Sequence, residues 1–269
     1  MRGSSRAAAA AGEKSLGEVL GSLDSGQLAE ELFAALASIE GSATLRRALA
    51  DPSRDGVGKS DLVKRLFGGK VTDQTVHVLA TLAGQRWADE RDFTDSIENL
   101  AVLAVVDRAD RRGKIQSLED EIFRFERIVA GTPDLRDTLT NRQGDAKGKA
   151  DLVARLLDGK ATPETVRLAQ QAVQAPRGRR LGSILESYLT VAANRRNQLT
   201  AVVTSAAPLG EDETARLRSA LSRMYGREIQ IQLIVDPSIV GGLRVKIGDE
   251  IIDGTIARKL EAARRHFGG

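Results

Sequence analysis

The tripeptide Gly58-Lys59-Ser60 has the residue types that end a phosphate-binding loop, in which backbone amides and a lysine bind phosphate. That motif requires a glycine five residues earlier, where this chain has Ser53, and no strand is predicted before it. A second occurrence, Gly148-Lys149-Ala150, lacks the hydroxyl that binds magnesium in such loops. The pattern therefore favours the start of a helix, with Ser60 or Asp61 capping the free amides, over nucleotide binding.

Candidate metal ligands are few and badly spaced. The two histidines, His77 and His266, lie far apart, and neither has a glutamate or a second histidine at metal-ligand spacing. The acidic group of Asp249, Glu250 and Asp253 lacks the regular alternation of oxygen ligands that a calcium loop needs, so a turn explains it better. The chain has no cysteine and hence no thiol chemistry. We predict no catalytic residue, no metal and no cofactor.

Two groups of basic residues could contact phosphate. One comprises Arg177, Arg179 and Arg180, and the other comprises Arg108, Arg111, Arg112 and Lys114. No aromatic residues interleave with them, which argues against binding of single-stranded nucleic acid. The 40 Lys and Arg residues are also nearly balanced by 37 Asp and Glu residues. We interpret both groups as solvated loops or helix ends, with an acidic protein partner as an alternative.

The composition favours packed helices. Hydrophobic residues make up 41% of the 269 residues but aromatic residues only 3%, so the core must consist mostly of Leu, Val, Ile and Ala. We interpret Trp87, the only tryptophan, as a core residue, with an interface anchor as the alternative. The sequence has no run of eighteen apolar residues, so we predict no membrane span. The alanines at 7–11 indicate a frayed helix start rather than an export signal.

An internal repeat organises the first two thirds of the chain. Residues 58–76 align with residues 148–166 at a shift of 90, with twelve of nineteen positions identical. The same shift pairs Leu28 with Leu118, Glu31 with Glu121, and Phe33 with Phe123. This indicates a duplicated helical unit. We predict a mostly α protein with two tandem bundles, copy 1 (1–106) and copy 2 (107–198), and a small C-terminal α/β domain (199–269).

Helix boundaries in copy 1 follow from apolar periodicity and from glycine and capping residues. The pattern predicts helices over 13–40, 43–50, 60–67 and 93–106, and a further helix that begins after an N-cap at Thr72 or Asp73.

The C-terminal region alternates in the manner of short strands. We predict a strand over 199–205, a helix over 211–225, and then two or three short strands before a closing helix from Thr255. The first of these strands covers 229–235 and the second covers 243–247, and residues 250–252 resume the extended pattern. Asp236-Pro237 ends the strand over 229–235 because proline cannot donate to a ladder. In the helix over 211–225, the residues predicted to face inward are Leu217, Ala220, Leu221 and Met224.

The run from Asp236 to Leu260 resembles the C-terminal signature of the delta subunit of F-type ATP synthase, the family of the oligomycin-sensitivity-conferring protein. The residues that carry the resemblance are Asp236, Gly241, Gly242, Gly248, Asp253, Gly254 and Leu260. The segment A-V-V-T-S-A-A-P-L at 201–209 is similar to the domain junction of that family. The resemblance implies a six-helix N-terminal bundle and a smaller C-terminal α/β domain, and the second bundle is a departure from most members.

The resemblance also implies a function. A member of this family is a non-catalytic peripheral-stalk subunit that holds the N-terminal helices of the alpha subunits and the b-type stalk subunit, and resists rotor torque. It implies a peripheral location on the cytoplasmic side of the bacterial plasma membrane, with membrane association only through the complex and no nucleic acid partner. Which bundle contacts the catalytic head is left open.

Two other classes of function remain as alternatives from the residues alone. The pI near 9.3 and the arginine groups are compatible with a basic helical nucleic-acid-binding protein or a general adaptor. An enzyme is the weakest alternative, because no paired carboxylates, activated nucleophile or cofactor loop stands out.

Overall fold

A computed structural model of the chain describes residues 3–21, 24–239, 241–247 and 250–254. Eleven helices precede the first described strand: α1 (Gly3–Val19), α2 (Ser25–Glu40), α3 (Ala43–Ala50), α4 (Gly56–Phe67), α5 (Asp73–Gly84), α6 (Glu90–Arg111), α7 (Ile115–Gly131), α8 (Pro133–Thr140), α9 (Ala146–Leu157), α10 (Pro163–Gln174) and α11 (Leu181–Asn197). The remaining described elements are β1 (Gln198–Ser205), α12 (Glu211–Tyr225), β2 (Glu228–Val235), β3 (Leu243–Ile247) and β4 (Glu250–Asp253). The predicted class, mostly α with a C-terminal α/β region, is confirmed.

Three local predictions in copy 1 were wrong. The helix predicted over 13–40 is two helices, because Asp24 caps α2 by accepting a hydrogen bond from the amide of Gly26. The helix α4 starts at Gly56 with Asp55 as its cap, so Ser60 and Asp61 lie too far into the helix to cap its amides. The alanines at 7–11 belong to a regular helix α1, in which Ala8 is buried.

The sequence repeat is also a repeat of structure. The helices α2 to α5 begin at Ser25, Ala43, Gly56 and Asp73, and α7 to α10 begin 90 residues later, at Ile115, Pro133, Ala146 and Pro163. The local patterns that set helix starts have therefore been duplicated with the sequence.

Helix α6 is shared by both copies. A shift of 90 residues carries α1 onto residues 93–109, which lie within α6. Accordingly, α1 packs against α5 in copy 1, and α6 packs against α10 in copy 2. Since α6 is both the last helix of one bundle and the first of the next, it is buried at successive positions such as Leu100, Ala101 and Val102. Burial at consecutive positions means that several sides of α6 are covered, as expected for a helix in the middle of a core.

Residues 1–195 form one compact unit with a continuous hydrophobic core from Ala8 to Ala192. The predicted boundary between copy 1 and copy 2 falls within α6, so no linker joins the copies there. The assignment of separate domains at 106/107 and at 198/199 stays a prediction.

The C-terminal unit, residues 196–269, contains a four-stranded sheet of order β2-β1-β3-β4 in its described part. Strands β1 and β2 are parallel and are connected through α12, whereas β3 is antiparallel to both β1 and β4. Its core is formed by six buried residues: Ala201, Val203, Leu221, Ile229, Val245 and Ile247. The predicted turn at Gly248-Asp249 and the closing helix from Thr255, including Leu260, lie outside the described residues.

The face predicted for α12 is partly wrong. Leu221 is buried and Leu217 packs against the core, but Ala220 is exposed and Met224 is 68% exposed. The helix is rotated so that Leu217, Leu221 and Tyr225, spaced four residues apart, contact the sheet core.

Candidate functional site

The shared helix α6 carries two carboxylates in the protein interior. The side chain of Glu98 is 3% exposed and that of Asp107 is 0% exposed. A buried charge is costly unless it is paired and hydrogen-bonded. Both carboxylates have such partners on other helices or loops. We call Glu98, Asp107 and the residues that bind them the seam.

Glu98 is bound by three groups from copy 2. Arg177 Nη1 lies 2.7 Å from one carboxylate oxygen, Arg179 Nη2 lies 2.6 Å from both, and the hydroxyl of Tyr188 donates at 2.9 Å. Burial of Tyr188, reinforced by the neighbouring carboxylate, raises the pKa of its hydroxyl. Tyr188 is thus held as a neutral hydrogen-bond donor to Glu98.

Arg177 connects the copies directly. It lies in the loop between α10 and α11, and its guanidinium also donates to Glu40 of α2 at 2.9 Å and to Asp95 of α6 at 2.5 Å. Its side chain is only 9% exposed. Its φ of 51° is in the left-handed region, which non-glycine residues rarely adopt. The guanidinium contacts offset that strain, since they fix the loop from several directions.

Asp107 forms the second half of the seam. Its carboxylate accepts hydrogen bonds from Ser25 of α2 at 2.6 Å, from Arg111 at 2.6 Å and from Arg195 of α11 at 2.5 Å. One carboxylate therefore joins copy 1, the shared helix and copy 2. Burial raises the pKa of the nearby Asp110 carboxyl, against the opposing effect of Arg195.

The interpretation of the two basic groups as solvated was wrong for Arg177 and Arg179, whose side chains are 9% and 27% exposed. The side chains of Arg108, Arg111 and Arg112 lie at the end of α6 and are 44%, 47% and 50% exposed, as expected of a solvated helix end, but they too are ion-paired. Besides Arg177, Arg179 and Arg111, both Arg108 and Arg112 pair with the buried Glu164 of α10, at 3.3 and 2.9 Å. Apart from Asp107, which lies four residues before Arg111, the partners are 52 to 137 residues away, so the sequence could not reveal them. Five of the seven basic residues that motivated a nucleic-acid-binding function are therefore paired with carboxylates of the chain itself.

A hydrogen-bonded clip recurs in both copies. Glu31 of α2 accepts hydrogen bonds from the amide and hydroxyl of Thr72 at 3.0 and 2.6 Å, and from Thr75 at 2.5 Å. Glu121 of α7 accepts from the amide and hydroxyl of Thr162 at 2.8 and 2.9 Å. Partial burial acts to raise the pKa of Glu31, but the threonine hydrogen bonds outweigh it and the net pKa is lowered.

The phosphate-loop residues have structural partners. The ammonium of Lys59 donates to the carbonyl of Gln85 at 2.7 Å, and burial lowers the pKa of this lysine. The hydroxyl of Ser60 donates to the carbonyl of Ala80 at 2.8 Å. In copy 2, Lys149 likewise donates to the carbonyl of Asn141 at 3.1 Å. The two lysines are equivalent in the repeat but bind carbonyls at non-equivalent positions, since the counterpart of Gln85 at a shift of 90 is Ala175.

Trp87 is a core residue, as predicted. It is 1% exposed, its indole Nε1 donates to the carbonyl of Leu82 at 2.9 Å, and its ring centroid lies 5.6 Å from that of Phe93. The alternative, an exposed interface anchor, is wrong because no face of the ring is accessible.

The resemblance residues that the structure describes support turns between strands. Asp236 accepts from the amide and hydroxyl of Ser238 at 2.9 and 2.6 Å, which lowers the pKa of its carboxyl. Gly241 and Gly242 have φ of 66° and 86°, so side chains there would be strained. The amide of Gly254 donates to Leu243, next to the backbone pairing of Asp253 with Arg244. Gly248 and Leu260 lie outside the described residues, and the role of the whole set as a signature stays a prediction.

Within the described ranges, no three acidic or histidine side chains are grouped so that they could hold a metal ion. In the same part of the chain, no helix has the length and apolar character needed to cross a membrane.

Sequence reasoning missed Glu98 and Asp107. A signal was present, since each is an acidic residue in the mostly apolar sequence I-E-N-L-A-V-L-A-V-V-D of α6. A charge within such a run marks a buried ion pair when the helix is buried on all sides.

Comparison with known proteins identifies relatives of this chain. The protein-family model described as the ATP synthase delta (OSCP) subunit matches residues 102–267, which begin within α6 and include all of copy 2. A protein named ATP synthase subunit delta from Kineococcus radiotolerans is 49% identical over 246 residues, covering 91% of this chain and 89% of that protein. One from Streptomyces griseus is 43% identical and covers 100% of both chains, and one from Thermobifida fusca is 40% identical over the same shares.

Among solved structures, a chain of the Toxoplasma gondii mitochondrial ATP synthase hexamer aligns over 62% of this chain and 95% of its own length. Its identity is 14% and its TM-score 0.29, so this similarity carries no argument. The family model and the full-length relatives are sufficient: the chain belongs to the ATP synthase delta (OSCP) subunit family.

Proposed function

We propose that this protein is the non-catalytic peripheral-stalk subunit of an F-type proton-translocating ATP synthase, and that it tethers the catalytic head to the stalk against rotor torque. The relatives that carry the name ATP synthase subunit delta extend over the whole chain, including copy 1. A structural subunit of this kind needs durable contacts with other proteins and no chemistry of its own.

The observation that carries the proposal is the joining of two helical copies through a shared helix. Torque on a tether with a flexible linker is dissipated by bending, whereas α6 belongs to both copies and leaves no linker to bend. The seam adds buried ion pairs from Arg177 and Arg195, which hold side chains of both copies in one arrangement. Buried networks of hydrogen-bonded side chains rigidify a core.

The partners proposed are helices. The helical unit would bind the N-terminal helices of the alpha subunits, and the C-terminal unit would bind the b-type stalk subunit. A bundle can accept an amphipathic helix in a groove through apolar anchors at helical spacing. The complex would place the protein peripherally, on the cytoplasmic side of the bacterial plasma membrane.

Coupling measurements test this function. Membranes with the complete enzyme, and membranes from cells lacking this chain, are compared for ATP hydrolysis and for ATP-driven proton transport. Without the chain we expect hydrolysis to persist and proton transport to be lost, and the purified chain should restore transport. Full proton transport in the absence of the chain would contradict the proposal.

A further inference from the structure

In one contact between the copies, an arginine of copy 2 covers a phenylalanine of copy 1, whereas the equivalent phenylalanine of copy 2 is exposed. We call the first the occupied site. In the occupied site, the guanidinium of Arg167 on α10 lies over the ring of Phe33 on α2, with Cζ 4.3 Å from the ring centroid. The same arginine forms an ion pair with Glu30, one turn before Phe33 on α2. Phe33 is only 4% exposed as a result of its packing.

The repeat carries this pair of residues onto α7. At a shift of 90 residues, Glu30 becomes Asp120 and Phe33 becomes Phe123, so a carboxylate again precedes a phenylalanine by three positions. Residues three apart on a helix lie on one face. On α7, however, Phe123 is 57% exposed and Asp120 is exposed as well. Copy 2 thus presents, uncovered, the feature that copy 1 uses to bind Arg167 of helix α10.

We propose that the Phe123–Asp120 face of α7 binds a helix of another ATP synthase subunit, and that this helix presents an arginine to the face. Arginine is the expected cation because its planar guanidinium can stack on an aromatic ring while it pairs with a carboxylate. The chain itself supplies the precedent in Arg167, Phe33 and Glu30. This inference rests on the proposed function, since it draws the partner from the same complex.

A second copy of this chain does not fit as the occupant. A second molecule docking head-to-tail would bring copy 1 onto the exposed face, and the position equivalent to Arg167 in copy 1 is His77. Its imidazole cannot reproduce the guanidinium fork. Head-to-tail contacts of this kind also build open-ended filaments rather than closed assemblies.

Binding by full-length variants tests the inference. Wild-type chain, Phe123→Ala, Asp120→Lys and Ile128→Ala are each titrated against two immobilised probes, the catalytic sector purified without this subunit and the purified stalk subunit. Ile128 is the matched control, because it is a 54% exposed apolar residue of the same helix but lies five positions away, on a different face. Circular dichroism and thermal unfolding establish that each variant is folded.

We expect Phe123→Ala and Asp120→Lys each to weaken binding to one of the probes at least tenfold, with Ile128→Ala within twofold of wild type. Replacing the partner's arginine with glutamate, which reverses its charge, should restore binding of the Asp120→Lys variant. Wild-type affinity of both variants for both probes would overturn this inference and leave the proposed function standing. Equal losses of binding in all three variants would likewise overturn this inference alone. So would self-association of the wild-type chain that depends on concentration and that Phe123→Ala abolishes. Failure of the wild-type chain to bind either probe would overturn both.

Discussion

Copy 1 and copy 2 share their helix starts and their internal clip, yet they differ in what covers them. Leu28 and Leu118 are both fully buried, and Glu31 and Glu121 both bind a threonine cap. Phe33 is buried, whereas its counterpart Phe123 is largely exposed. Duplication therefore preserved the interior of each bundle, while position along the chain determined which equivalent surfaces remain open to partners.

The seam should be the most sensitive part of this comparison, because it joins the copies. Glu98→Gln removes the negative charge that Arg177 and Arg179 share in the interior. Breaking a buried ion pair from one side is expected to lower the free energy of unfolding by about 3–5 kcal/mol. Urea unfolding followed by circular dichroism measures the change. Asp137→Asn, which removes an exposed ion pair with Arg136, is the control and should change stability by less than about 0.5 kcal/mol. Equal effects of the two substitutions would show that the seam contributes no special stability.

Equivalent substitutions at Phe33 and Phe123 sharpen the comparison further. Phe33→Ala should cost about 3 kcal/mol because it empties a buried site, at the lower end of the range for such changes. Phe123→Ala should stay within about 0.5 kcal/mol, since the ring is exposed. Thermal unfolding of both variants provides the measurement. Similar losses of stability in the two variants would contradict the difference in burial between Phe33 and Phe123.

The caps should behave alike in both copies. Thr72→Ala and Thr162→Ala each remove a helix N-cap and a hydroxyl bound to the clip glutamate. Loss of such a cap costs about 1 kcal/mol, so we expect the two variants to lose similar stability in urea unfolding. If the stability losses of the two variants differed by more than about 1 kcal/mol, the typical loss for a cap, the copies would not be equivalent at this position.

The smallest expected effect is on pH dependence. The folded-state pKa of Glu31 is lowered from its ordinary 4.5, so the stability it contributes is present above that value and is lost as pH falls through the folded pKa. The stability gap between wild type and Glu31→Gln should therefore be largest near neutral pH and shrink below pH 4.5. Denaturant unfolding across this range tests it, and a gap that does not vary with pH would contradict it.

Much of the architecture was predictable from the chain alone. The repeat, the C-terminal strands and the cap at Thr72 were all set by neighbours in sequence, and the structure agrees. The buried side of α12 was less well predicted, because Ala220 and Met224 fit the apolar period as well as Tyr225 does. Only the sheet against which the helix packs distinguishes between them.

The pairing of residues in the seam was beyond sequence reasoning for a related cause, although the two acidic residues of α6 were visible in the sequence. Arg177 looked like part of a solvated basic group, and its partners Glu40, Asp95 and Glu98 are 79 to 137 residues away. Local composition carries no information about which distant carboxylate will be brought to an arginine. The sharing of α6 between the copies was equally hidden, because α1 and α6 have little sequence similarity despite their equivalent places.

The amino-acid sequence by itself determined where helices and strands begin and end, since those patterns depend on hydrogen bonds and side chains a few residues apart. It also determined that the pattern occurs twice. Tertiary structure alone decided that Phe33 is covered and Phe123 is not. Two copies with the same local pattern fold alike, but only the first has another copy following it in the chain, and burial depends on what is packed alongside.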